Sequence, residues 1–155
     1  HGGDAPGASW VRSARVGEEV SFTRPDGGFV VRGDAPYHLF VGEETASVAF
    51  GAMLWGLAPR AAVFGVVEAD APDDHLPLPR TLERVCRAGA SAERSEVLVE
   101  AVRKLALPEG AGVAYLAGEA RTIQAVRGHL VRERGWNRRD VRTKPFWTPG
   151  RKGMD

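Results

Sequence analysis

Two short stretches of the sequence place a glycine, acidic side chains and a threonine directly after an apolar run. They are FVGEETA at residues 40–46 and LAGEART at residues 116–122. Where such a stretch turns a strand into a helix, the free backbone N–H groups of the first helical turn attract a phosphate. The glycine also lets a nucleotide approach the main chain closely. The same pattern is the ordinary way for a strand to turn into a helix, so it favours either a nucleotide site or a simple turn.

Common fingerprints of nucleotide and hydrolase chemistry are absent from the sequence. It contains no GxGxxG, no GxxxxGK[ST] and no GxSxG. The four histidines are scattered and lack the spacing of metal ligands, so no metal site is predicted. No pair of side chains is predicted to act as a catalytic acid, base or nucleophile.

The C-terminal segment carries the sharper signal, because KPFW at residues 144–147 sets two aromatic rings beside a lysine. Together with Arg142 and Arg151, these residues would suit a flat, anionic ligand. Two alternatives stay open. The segment is a solubilising tail anchored by its aromatics, or it binds single-stranded nucleic acid, although no known nucleic-acid motif accompanies it.

Alternating apolar and amphipathic segments predict the elements that position these residues. Short apolar runs predict strands over residues 18–23, 37–42, 61–69, 80–88, 112–118 and 140–146. Helical spacing predicts helices over residues 43–57, 95–107 and 119–135, with Ser95 capping the second and Gly135 ending the third. From residue 37 onward the order is β-α-β-β-α-β-α-β, which predicts an α/β fold with a parallel sheet and helices on both faces. Pro145 favours an edge position for the last strand.

The bulk composition is that of an ordinary globular protein. The chain has 155 residues, 43% of them hydrophobic and 26% charged, and one cysteine, which excludes an internal disulfide framework. No apolar run is long enough for a membrane span. Eight basic and two acidic residues lie between Arg132 and Lys152, on an otherwise mildly acidic chain. Because the chain begins with His1 rather than Met, we expect upstream parts to be missing.

Residues 116–153 resemble the C-terminal signature of the siderophore-interacting proteins, which are ferric-siderophore reductases of the ferredoxin-reductase-like superfamily. The shared features are an Ala-Gly-Glu turn, an arginine-rich helix, a final strand and an aromatic pair before a glycine. LFVGEETA at residues 39–46 is similar to the family's Ala-Gly-Asp-Glu-Thr-Ala turn. Residues 1–35 resemble the end of its flavin-binding barrel, with Ser9 and Trp10 in a Pro-Ala-Ser-x-Trp-like motif.

The resemblance implies two units, a C-terminal remnant of an FAD-binding β-barrel over residues 1–35 and an NAD(P)H-binding, siderophore-interacting α/β domain over residues 36–155. It implies that the full-length protein passes electrons from NAD(P)H through FAD to siderophore-bound Fe(III), and that iron is released in the cytoplasm. We expect a monomer whose partner is an anionic ferric siderophore, with no nucleic acid and no membrane among its partners. We expect this chain alone to be inactive.

The resemblance also implies residue roles. The residues expected at the cofactors, with Thr45 at the dinucleotide phosphates and Ser9 at the FAD pyrophosphate, are Ser9, Gly42, Glu44, Thr45, Gly118, Glu119, Phe146 and Trp147. Those expected to face the siderophore are Arg142, Lys144 and Arg151.

The chain departs from the family pattern in places that bear on cofactor binding. It starts after the position of the barrel's Arg-x-Tyr-Ser/Thr flavin motif, so it is not expected to hold FAD by itself. Phe146 stands where the family has tyrosine, which removes a hydroxyl, and Pro145 stiffens the approach to the aromatic pair. The rival reading is a non-catalytic fragment that acts as a binding module for an anionic ligand.

Overall fold

The computed structural model describes residues 6–22 and 27–151, and its centre is a sheet of five strands with helices on both faces. The strands are β1 (His38–Glu43), β2 (Val63–Ala69), β3 (Glu83–Cys86), β4 (Val113–Glu119) and β5 (Val141–Trp147). The helices are α1 (Pro6–Ser13), α2 (Ser47–Trp55), α3 (Glu96–Lys104) and α4 (Ala120–Gly128). The strand order is β3-β2-β1-β4-β5 and every pairing is parallel, which confirms the predicted fold class.

The central strands β1 and β4 are buried along their whole length, as expected for a parallel sheet that is covered on both faces. Leu39, Val41 and Leu116 point to the face covered by α3 and α4. Phe40 and Tyr115 point to the face covered by α2. The apolar runs in the sequence therefore correspond to strands that contribute to two hydrophobic cores at once.

The second core also takes in the segment that precedes β1. Phe29, Val31 and Ala35 pack against it, and the Tyr115 hydroxyl accepts a hydrogen bond from the Arg32 backbone N–H at 2.8 Å. Residues 29–35 of the first predicted unit thus lie directly on the sheet of the second. The boundary at residues 35 and 36 stays a prediction.

Polar side chains satisfy backbone groups at both ends of α3. The Ser95 hydroxyl accepts a hydrogen bond from Leu98 N at 3.2 Å, which confirms the predicted N-cap of α3. After α4 the chain makes a wider turn over His129–Glu133 and stops at Gly135, whose φ is +72°. There Arg134 donates to carbonyl oxygens at the C-terminal end of α3, including that of Leu105 at 3.1 Å, which satisfies groups that the helix itself cannot pair.

The strand predicted over residues 18–23 is wrong. Residues 18–22 form no strand, because no neighbouring strand among the described residues pairs with them, while residue 23 lies outside those residues. Trp55 is 79% exposed, since α2 is apolar all round and buries Phe50 and Leu54. Cys86 is exposed, near the free edge of β3.

No described helix is long and apolar enough to cross a membrane.

Candidate functional site

Strands β1 and β4 lie side by side in the middle of the sheet, and the chain runs from them towards opposite edges. In open parallel sheets, ligands bind beyond the carboxyl ends of two such strands. Gly42 on β1 faces Ala117 on β4, so the two strands end next to each other, at Glu43 and Glu119. The two stretches singled out in the sequence are therefore neighbours at this edge of the sheet.

The side chain of Glu43 is the centre of this edge, although it is only 1% exposed. Its Oε2 accepts a hydrogen bond from Thr45 N at 2.7 Å, and its Oε1 accepts one from Thr45 Oγ1 at 2.5 Å. The same Oε1 accepts a hydrogen bond from Trp147 Nε1 at 2.9 Å. Glu43 therefore caps the turn before α2, and it also links β1 to the end of β5.

Thr45 has no donor left for a phosphate while Glu43 holds it, because both its N–H and its hydroxyl hydrogen are directed at that carboxylate. The hydroxyl oxygen can still accept a hydrogen bond. A phosphate contact at Thr45, as the resemblance implied, would require Glu43 to release at least one of these groups.

The two glycines of this edge are required by the protein's own packing. A Cβ on Gly42 would collide with the carbonyl oxygen of Ala117 and lie 2.7 Å from the Cβ of Ala46. Gly118 has a φ of +128°, and a Cβ there would lie 2.5 Å from Oε1 of Glu43. Both glycines are buried, and the neighbouring protein atoms already require them. Close approach of a nucleotide is therefore not needed to explain either one.

Glu119 ends β4 and caps α4. Its Oε2 accepts hydrogen bonds from Thr122 N at 2.8 Å and from Arg94 N at 3.4 Å. Its Oε1 is buried and has no hydrogen-bond partner among the described residues. Oε1 of Glu119 can therefore still accept a hydrogen bond, from a donor that the described residues do not supply.

An open, largely apolar pocket of about 430 Å³ lies where the start of α2 meets the end of β5. Its lining residues are Thr45, Val48, Ala49, Phe146 and Trp147. Three of the predicted cofactor residues are thus brought together on one surface. An aromatic wall with a hydroxyl acceptor suits a flat ring that carries a polar group.

Glu44 is occupied by an ion pair rather than open to a ligand. Arg87, which follows β3, binds both of its carboxylate oxygens, one of them at 2.6 Å. Burial raises the pKa of Glu44, but the hydrogen bond and charge of Arg87 outweigh it, so the pKa is lowered. Arg87 also lies 3.8 Å from Glu68 at the end of β2 and 3.8 Å from Asp70.

Glu68 is fully buried, and burial raises its pKa. Its carboxylate accepts a hydrogen bond from the Ser95 hydroxyl. In register it faces Glu43, so buried carboxylates lie at the end of β1 and just before the end of β2, and Glu119 ends β4.

Arg142 and Lys144 lie on β5 and line a second cavity of about 480 Å³ together with Gly28 and Phe29. The Arg142 guanidinium donates to the Gly28 carbonyl oxygen at 2.8 Å, so part of its hydrogen-bonding capacity is already used. Lys144 is half-buried and forms no ion pair among the described residues.

The remaining two predicted residues do not join the pocket. Ser9 is exposed on α1, and its hydroxyl accepts a hydrogen bond from Arg12 at 3.3 Å. Arg151 is exposed beyond the end of β5. No group of described His, Cys, Asp and Glu side chains is arranged to hold a metal ion.

Sequence reasoning missed the residues that hold this edge together, which are Glu43, Glu68 and Arg87. A signal was present, since FVGE, VVE and LAGE each end an apolar run with a glutamate. An acid directly after a buried strand lies where unpaired helix N–H groups begin, and capping is its expected use.

Comparison with known proteins shows what this chain is similar to. A family model described as "Siderophore-interacting protein" matches residues 35–150. The ferric vibriobactin reductase ViuB of Vibrio cholerae is 26% identical over 155 residues, covering 97% of this chain and 57% of that protein. An uncharacterized protein of Mycobacterium bovis is 28% identical over 164 residues, covering 97% of this chain and 58% of that protein. The chain thus spans under two thirds of the length of these curated relatives.

Solved structures show the same fold. The siderophore-interacting protein of Acinetobacter baumannii matches with a TM-score of 0.82 at 20% identity, over 98% of this chain and 62% of that chain. A siderophore utilization protein from T. fusca matches with a TM-score of 0.76 at 22% identity, over 99% of this chain and 60% of that chain.

Proposed function

This chain belongs to the siderophore-interacting protein family, and we propose that it is the NAD(P)H-binding lobe of a ferric-siderophore reductase that releases iron in the cytoplasm. The proposal is supported by the similarity to a ferric vibriobactin reductase along nearly the whole chain. In this function, one reduced nicotinamide gives up two electrons and one proton, and two siderophore-bound Fe(III) ions become Fe(II).

The observation that carries the proposal is the pocket at the carboxyl edge, where ligands bind in sheets of this kind. Thr45 and Trp147 are far apart in the sequence and meet there through Glu43. The pocket presents an aromatic wall and a hydroxyl acceptor, which suit a nicotinamide ring and its carboxamide donor. Thr45, Phe146 and Trp147 would hold that ring and keep water from it.

The described residues do not form a flavin site by themselves. Ser9 is exposed, and its hydroxyl is already bonded to Arg12. FAD, when bound, would supply the exchange between two-electron and one-electron transfer. We therefore assign it to a longer protein of the relatives' length, and we derive no step of the reaction from this chain's contacts with it.

Trp147→Ala tests the proposed site. In the full-length protein we expect the change to slow ferric-siderophore reduction about tenfold, while the affinity for NAD(P)H falls much less, because the ring orients ligands more than it anchors them. Reduction is measured with a colorimetric Fe(II) chelator, and nucleotide binding to this chain is measured by nicotinamide fluorescence.

Trp55→Ala is the matched control, because this exposed tryptophan lies at the far end of α2 from the pocket. It should leave both quantities unchanged. If Trp147→Ala reduces the ferric siderophore at the wild-type rate, Trp147 has no role in the proposed site. A full-length protein that binds the ferric siderophore but shows no NAD(P)H-dependent reduction would instead favour the binding module.

A further inference from the structure

Glu43 makes a connection that the strand order alone would not allow. Trp147 lies at the end of β5 and Glu43 at the end of β1, and β4 runs between these two strands. The two side chains nevertheless meet at 2.9 Å between Nε1 and Oε1. The Glu43 side chain therefore reaches across the end of β4 to the neighbouring strand.

The crossing is possible because β4 has a glycine at this point. The nearest heavy atoms to a Cβ built on Gly118 are three atoms of the Glu43 side chain, at 2.5, 3.0 and 3.1 Å. The space that a side chain on β4 would fill is thus occupied by the carboxylate of Glu43. A bulge in the pairing of β4 with β5 follows directly, between Gly118 and Glu119, and brings Trp147 opposite Glu119.

The carboxylate of Glu43 is held by hydrogen-bond donors and not by a cation. Its donors are the backbone and hydroxyl of Thr45 and the indole of Trp147, and no basic side chain forms an ion pair with it among the described residues. Hydrogen bonds to a buried charge are directional and shorter than those between neutral groups, so they fix the orientation of the donors. An indole has one N–H, and using it here, together with the attachment of the ring at Cβ, restricts the orientation of the ring.

We propose that Glu43 is a positioning residue, which holds the indole of Trp147 and the hydroxyl of Thr45 as one preformed wall of the 430 Å³ pocket. It acts through these two residues and does not itself line the pocket. That the wall receives a nicotinamide rests on the proposed function, whereas the fixing of the indole does not.

The test is two-dimensional ¹H–¹⁵N NMR of this chain, which has four tryptophans and hence four indole N–H signals. The signal of Trp147 is assigned by its loss in Trp147→Phe. Glu43→Gln keeps the shape of the side chain and removes its charge. In this variant we expect the Trp147 indole signal to move upfield and its hydrogen to exchange with water about tenfold faster.

Glu68→Gln is the matched control, because Glu68 is equally buried and faces Glu43 in register, yet its carboxylate is bonded to Ser95 and not to Trp147. It should leave the Trp147 indole signal in place. An indole signal that behaves alike in Glu43→Gln, Glu68→Gln and the unaltered chain would overturn the proposal.

A second variant keeps the test valid if Glu43→Gln does not fold. Trp147→Phe retains a smaller aromatic ring and removes the N–H donor. Because Thr45 donates to the same carboxylate, its backbone amide signal should shift in Trp147→Phe and stay unchanged in Trp55→Phe. A Thr45 amide that ignores the loss of the indole donor would overturn the proposal independently.

Titration with NADH and NADPH separates this inference from the proposed function. We expect nucleotide to move the Trp147 and Thr45 signals of the unaltered chain, and Glu43→Gln to weaken binding only about twofold through loss of the preformed wall, in line with the small effect expected of Trp147→Ala. If neither nucleotide binds while Glu43→Gln still releases the indole, the proposed function fails and the positioning role stands. If nucleotide binds and the indole is insensitive to Glu43→Gln, the positioning role fails and the proposed function stands.

Discussion

At the scale of single residues, the two glycines at the carboxyl edge of the sheet serve the protein's own packing. Gly42 and Gly118 were predicted to make room for a nucleotide, yet the atoms that fill their space are Ala117 O, Ala46 Cβ and the carboxylate of Glu43. Gly118 is the more demanding position, because it combines a φ of +128° with contact to a buried charge.

Gly118→Ala is expected to lower the free energy of unfolding by about 2–4 kcal/mol, since it adds backbone strain and displaces the Glu43 carboxylate. Unfolding in urea measures this loss. The control is Gly110→Ala, which also has positive φ, +80°, but has nothing within 4 Å of the added Cβ. If the two substitutions cost the same and neither moves the Trp147 indole signal, the contact with Glu43 has no energetic role.

The same scale shows where sequence reasoning stops. Glu43 follows an apolar run in the way that a solvated acid at a strand end would, and its partner Trp147 is 104 residues away in the sequence. Nothing local marks the two as neighbours. The aromatic pair in the tail was recognised because it is unusual in itself, whereas the carboxylate that holds it is an ordinary residue in an ordinary place.

At the scale of elements, Arg87 ties three strand ends together. It follows β3, pairs with Glu44 beyond β1, and lies near Glu68 and Asp70 at the end of β2. Its side chain is only 11% exposed, so these charges meet with little solvent screening. Removing the cation would leave Glu44 and the buried Glu68 without the guanidinium that offsets their charge.

Arg87→Gln should therefore cost about 3 kcal/mol of stability at neutral pH. The pKa of Glu44 is lowered in the folded protein, so this stabilisation is present above the carboxyl's usual pKa and is lost as the pH falls through the folded value. The difference in free energy of unfolding between the variant and the unaltered chain should accordingly become smaller below about pH 4. Thermal unfolding across pH measures it.

Arg84→Gln, on an exposed side chain of β3 that forms no ion pair among the described residues, provides the comparison for Arg87→Gln. We expect it to change stability little at any pH. If Arg87→Gln lowers the free energy of unfolding by the same amount in acid as at neutral pH, the ion pair is not the source of the loss.

The elements themselves could be read from the sequence to a large extent. The five strands from residue 37 onward, their alternation with helices and the cap at Ser95 follow from apolar runs and turn residues. The orientation of α2 could not be read, because Val48, Phe50, Leu54 and Trp55 offer apolar surface on every side. Only the position of the sheet decides which of them are buried.

At the scale of the whole molecule, charge is distributed unevenly along the chain. The segment from Arg132 to Lys152 carries eight of its basic residues. Arg142 and Lys144 lie on β5 and form no ion pair among the described residues, and Lys144 is the nearer of the two to the aromatic pair in the sequence. A local excess of positive charge attracts anions from a distance, and salt screens this attraction over about 10 Å at 0.1 M.

Lys144→Glu in the full-length protein should raise the KM for anionic ferric siderophores several-fold, about three- to tenfold at low salt, and much less at high salt. Steady-state reduction at two ionic strengths measures this. Arg138→Glu makes the same change of charge in the turn before β5, at the other end of that strand, and should have a smaller effect. Equal effects of the two variants would mean that net charge matters and the position of Lys144 does not.

The outer strands of the sheet have a further consequence for the behaviour of the protein in solution. β3 is four residues long and carries exposed Glu83 and Arg84, while β5 carries Pro145, which has no backbone hydrogen to offer. Short length, charge and proline are the features with which natural sheets discourage pairing between molecules. A sheet with such edge strands offers few unpaired backbone groups at which a second molecule could add a strand and begin a fibre.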